Sequence, residues 1–155
     1  MITHRAKSIE TNEWEFGQYL VLNGRHMIIK TESSSTIIPY VEVIGETVSR
    51  AVGIPDVKGV PMFEGDFDKY GYIVTFINPQ DGASSGLTIG WHAQKDDFDK
   101  SHDIDATQSE EFEICGNIYD QPEHKEGLDK AHTVLWQWEN YVNTLSKPSF
   151  NKQEG

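Results

Sequence analysis

Two short, widely separated stretches hold the side chains best suited to chemistry. In Met62-Phe63-Glu64-Gly65-Asp66 two carboxylates flank a glycine, and the chain runs on into Tyr72-Ile73-Val74-Thr75-Phe76. In Phe112-Glu113-Ile114-Cys115-Gly116-Asn117-Ile118-Tyr119-Asp120-Gln121-Pro122 a glycine and an amide interrupt a hydrophobic run. Brought together, Glu64, Asp66, Asn117, Tyr119 and Asp120 would form a binding or acid–base site, because paired carboxylates in a low dielectric split their pKa values and move protons. Spacing alone does not make them converge. The same residues also have a structural use: a glycine beside a strand permits a bulge or bend. Asp66 can accept backbone N–H bonds in a turn, and Asn117 can satisfy backbone groups where a ladder breaks. The structural use is the simpler account.

Other chemistries find less support. His102, Asp103 and Asp105 are conceivable metal ligands, but Asp99, Asp103 and Asp105 do not match a calcium-loop alternation. The six histidines are scattered, without the fixed offsets of a zinc site. There is no phosphate-cradling glycine loop, serine elbow or paired-cysteine motif. The reading is therefore a non-enzyme with no cofactor and no metal. Cys115, the single cysteine, excludes an intramolecular disulfide. Its apolar run predicts a buried small hydrophobe.

The elements that must position these residues are mostly strands. Trp14, Phe16 and Gln18-Tyr19-Leu20-Val21-Leu22 form the first of two strands expected in residues 3–30. Asn23-Gly24 is the hairpin turn, and His26-Met27-Ile28-Ile29-Lys30 returns. After a polar loop, residues 36–44 form a strand in which Pro39 must lie at the start or on an edge. Residues 46–52 continue the strand pattern to Gly53, and residues 53–59 turn. Asp68-Lys69-Tyr70-Gly71 turns into the strand at residues 72–77, and a short strand covers 87–91. Residues 96–113 are dominated by acid and read as a solvated loop anchored by Phe98 and Ile104.

The period then changes. Leu128, Ala131, Val134, Leu135, Trp138, Tyr141, Val142 and Leu145 recur at threes and fours, a helical stripe. Trp136 falls off the stripe. Together with Trp138 and Tyr141 it suggests a contact surface for self-association or a partner.

A chain of 155 residues is the size of one domain and can bury a core without staples. The formal charge is -12. An acidic surface disfavours direct nucleic-acid binding and docking on anionic lipid. The N-terminus lacks an apolar signal segment, and no apolar stretch is long enough to span a bilayer. The expectation is a soluble protein of a bacterial cytoplasm.

The order of motifs resembles the YopX family of phage and prophage proteins. A basic start, His4-Arg5-Ala6-Lys7, precedes Trp14-Glu15-Phe16-Gly17-Gln18-Tyr19-Leu20. A turn with Gly53, Asp56 and Gly59 follows, then Phe63-Glu64-Gly65-Asp66, then Gly116-Asn117-Ile118-Tyr119-Asp120-Gln121-Pro122-Glu123. The resemblance covers residues 4–124. Val60-Pro61 stands where a lysine is common, and the helical tail is longer than the family implies. The resemblance implies a mainly β domain, a bent mixed sheet or partly open β-barrel, over residues 1–124. By content the chain is expected to be α+β, with a C-terminal α-helix over 125–147 packed on the domain or on another copy and a flexible tail over 148–155. It implies no established activity. The function expected first is a phage or prophage accessory protein that self-associates and binds a host or phage protein. One alternative is an acidic inhibitor of a nucleic-acid-binding protein. The other is a ligand-binding protein or enzyme using the turns at Glu64, Asp66 and Asn117.

Overall fold

Asn23 and Gly24 both take left-handed dihedrals, φ 51° and 75°, as a two-residue hairpin of the primed type requires. In the computed structural model, which describes residues 1–30, 36–79, 89–95, 101–105 and 111–124, this turn joins β2 (Trp14–Leu22) to β3 (Arg25–Ile29). β1 (His4–Lys7) pairs with β2 on its other side, and β4 (Tyr40–Glu42) pairs with β3. β5 (Ser49–Pro55) and β6 (Pro61–Phe63) complete a six-stranded sheet of order β4-β3-β2-β1-β5-β6. Pro39 precedes the edge strand β4, where its missing N–H costs no ladder bond.

A second, five-stranded sheet has the order β10-β9-β8-β7-β11. Its strands are β7 (Asp66–Phe67), β8 (Ile73–Ile77), β9 (Gly90–Gln94), β10 (Ser101–Asp103) and β11 (Gly116–Asn117). The fold is mainly β, and every pairing between named strands is antiparallel. The mainly β expectation holds; in place of a mixed sheet there are two antiparallel sheets, and no barrel closes among the described residues. The C-terminal helix expected over 125–147 lies outside the described residues.

Among the described residues, three buried clusters hold the sheets. Met62 from the first sheet packs with Val74 and Ala93 from the second and with Phe112. Ala6, Ile28 and Val43 form another cluster under Val48 and Tyr19. Phe67, Ile73 and Ile118 form the third.

Local departures from the sequence reading have physical causes. His4–Lys7 is a strand, although only Ala6 is apolar there, because it is framed on both sides by β2 and β5. Gly45–Thr47 is a turn of 3-10 helix rather than strand. The Thr47 hydroxyl donates to the Ile44 carbonyl and accepts the Lys7 N–H, which closes that turn. Within the acidic stretch, Ser101–Asp103 pairs with β9. Ile104 packs against the Met62 cluster as expected.

Candidate functional site

The two stretches meet. Asn117 is the register partner of Asp66, and Gly116 of Phe67. Gly65 makes the junction: its φ is 88°, its carbonyl accepts the Ile118 N–H at 2.9 Å, and its own N–H bonds Val74. A Cβ on Gly65 would sit 3.0 Å from the Tyr119 ring. Only a glycine combines that dihedral with that approach.

Asp66 is the deepest charged group here, 1% exposed. One oxygen accepts the Arg5 guanidinium at 2.5 Å and the other accepts the Phe63 N–H at 2.8 Å. Burial pushes its carboxyl above the ordinary value, against the pull of Arg5 and the Phe63 N–H. Arg5 lies with its guanidinium carbon 4.5 Å from the Trp14 ring centre and 4.8 Å from that of Phe63. This stacking accounts for an Nε that has no hydrogen-bond partner. The pair ties β1 of one sheet to β7 of the other.

Asn117 folds the second stretch back on itself. Its carbonyl oxygen accepts the N–H groups of Tyr119 and Asp120, both at 3.0 Å, and its amide donates to Asp120 at 2.8 Å. Asp120 also accepts the Trp14 indole N–H at 3.0 Å and the Lys7 ammonium. Partial burial pushes the Asp120 carboxyl up, but the bonds from Lys7, Asn117 and Trp14 outweigh it and hold its pKa at about 2. Tyr119 packs edge-on against Trp14.

Glu64 points away from this cluster. It forms a two-point ion pair with Arg50 at 2.9 and 3.0 Å. Arg50 pairs in register with His4, while Arg5 is the next residue along β1. Neighbouring strand residues face opposite ways, so Glu64 and Asp66 answer to arginines on opposite faces of the first sheet. Asp66, Asn117, Tyr119 and Asp120 thus converge and Glu64 does not. Trp136, Trp138 and Tyr141 lie outside the described residues.

Sequence reasoning missed two anchors as site-builders. Asp56 accepts N–H bonds from Lys58, Val60 and Ile114, at 2.9, 2.8 and 3.0 Å. Burial pushes its carboxyl up, yet those N–H groups outweigh it and hold it below the usual value. Asp68 accepts the N–H groups of Tyr70 and Tyr72, both at 2.9 Å. An aspartate two residues before a turn N–H was the available signal. For Asp66 the partner that no local signal supplies is Arg5, 61 residues away.

Cys115 corrects the expectation of burial, since it is exposed. Phe112 and Ile114 turn inward to the Met62 cluster, and alternation carries the thiol out. His92 is buried, and its Nδ1 lies 3.1 Å from both the Ser101 hydroxyl and an Asp103 oxygen. Among the described residues no group of three or more His, Cys, Asp or Glu is placed to hold a metal ion. Nor is any helix there long and apolar enough to cross a membrane.

The arrangement is a knot of charge-assisted bonds between the two sheets. Comparison with protein-family profiles, with curated proteins and with solved structures gives no match to this chain.

Proposed function

We propose that this protein is a self-associating protein-interaction module, an accessory protein of the phage or prophage kind that the resemblance to the YopX family implies. Its site is an apolar face at the far end of the six-stranded sheet from β6. By register, Leu20 and Leu22 of β2, Met27 and Ile29 of β3 and Tyr40 of β4 share that face. Leu20, Leu22 and Tyr40 are 42%, 56% and 58% exposed, and Ile38 beside them is exposed as well. A contiguous apolar patch of this kind on a soluble chain marks a contact surface. This exposed face is the observation that carries the reading.

The occupant is a second copy of the chain. Arg25 and Glu42 lie on the same face and neutralise each other through bonds of 3.1 and 2.6 Å. The patch is therefore locally neutral in a chain of net charge -12. A basic partner would be drawn to carboxylates elsewhere. A second copy brings the same neutral, apolar, self-complementary surface, as a two-fold interface requires.

Hydrogen exchange at several protein concentrations tests this. Amides of β2, β3 and β4 gain protection as concentration rises, while those of β8 and β9 do not. Protection that stays constant across a wide concentration range contradicts the reading.

A further inference from the structure

A second feature of the first sheet, independent of the self-association face, has the form of a small-molecule site. β5 and β6 pair at Ala51 with Phe63 and again at Pro55 with Pro61. Between these pairs Val52, Gly53 and Ile54 oppose Met62 alone, so β5 bulges. Gly53 takes φ 85°, and among the described residues no atom beyond its chain neighbours lies within 4 Å of where its Cβ would be. The bulge opens a cleft of about 520 Å³, within the ~300–1,000 Å³ range of small-molecule pockets.

Its surface is graded. Ile2, Phe16 and Val60 form an apolar rim, each between 43% and 46% exposed. Met62 and Phe63 line the interior and are nearly fully buried. Among the described residues, the charged groups lining it are Arg5 and Asp66, already paired with each other. Asp66 has one bond on each oxygen, and a carboxylate can accept about four. Arg5 donates one bond to Asp66, and a guanidinium carries five N–H groups.

We propose that this cleft binds an uncharged molecule with an apolar, ring-sized body ending in a hydroxyl or an amide. The apolar walls take the body. A neutral group that both donates and accepts matches the spare acceptor capacity of Asp66 and the spare donors of Arg5. An ion does not fit. The pair is neutral as it stands, so an anion or a cation would leave one desolvated charge without a counter-charge.

Three probes of similar shape test the charge rule on the full-length protein: 4-ethylphenol, phenylacetate and phenethylamine, titrated at pH 7 and followed by amide NMR shifts. The expected result is saturable binding of 4-ethylphenol, with shifts centred on Ala51, Phe63 and Ile114. Its Kd is expected to be at least about tenfold below that of either ion. Val60→Trp, placed on the rim, is expected to close the mouth and weaken 4-ethylphenol by about tenfold or more while the thermal midpoint holds. Four results overturn the proposal: no saturable shift at millimolar probe, an ion that binds as tightly as the phenol, shifts centred away from the cleft, or unchanged affinity in Val60→Trp. Contacts between cleft residues and Trp136 or Trp138 in the free protein overturn it as well, because the chain would then fill its own cleft.

Discussion

Asn117 stands opposite Asp66 where β11 pairs with β7, and each side chain holds a turn. Each is committed to backbone groups: Asp66 to the Phe63 N–H, Asn117 to the N–H groups of Tyr119 and Asp120. Asp66, Asn117 and Asp120 hold turns, and through Arg5 and Lys7 the two aspartates hold the two sheets together.

Acid should weaken the Lys7–Trp14–Asp120 tie. The folded carboxyl sits at about 2 against an ordinary 3.8, so the folded state binds fewer protons than the unfolded one between those values. A depressed carboxyl contributes stability above the ordinary value and loses it as pH falls from about 4 toward 2. The Asp120 side chain is 44% exposed, so solvent screening reduces the contribution to about 1 kcal/mol. Asp120→Asn is expected to lower stability by that amount at pH 7 and to match wild type below pH 2. Urea unfolding across the pH range measures it. An unchanged acid limb in the variant contradicts the tie.

Gly65→Ala is expected to cost about 2 kcal/mol, from a left-handed dihedral and a methyl pressed on Tyr119. Gly24→Ala, also left-handed but with nothing within 4 Å of its Cβ position, should cost less, near 1 kcal/mol. Equal losses in chemical denaturation would mean that the junction of the two stretches is not crowded.

The thiol of Cys115 is expected to react in the folded protein. Dithionitrobenzoate should label it fully under native conditions, within about tenfold of the rate in the unfolded chain. Labelling that waits for denaturant would return Cys115 to the core.

How much of this was legible varies with range. Asn23-Gly24 announced its hairpin, because two left-handed residues leave few alternatives. Pro39 announced an edge, and the cap at Asp66 was readable from its own neighbours. His4–Lys7 was hidden because its strand character comes from β2 and β5 rather than from its own side chains. The partners of Asp66 and Asp120 were hidden for the same reason: Arg5 lies 61 residues from Asp66, and Lys7 113 residues from Asp120. Nothing local encodes such a meeting. Glu64 parts from the cluster because the bend at Gly65 breaks the alternation by which residues two apart share a strand face.

The exposed face of Leu20, Leu22 and Tyr40 carries the functional account, and light scattering tests it most directly. The solution mass of the full chain should be compared with that of Leu22→Lys, a substitution at an exposed position with little expected effect on folding. The account predicts a wild-type mass of twice the 17.6 kDa chain and a variant that falls to the single-chain value at the same concentration. A wild-type protein of single-chain mass, or a variant that keeps the doubled mass, contradicts it.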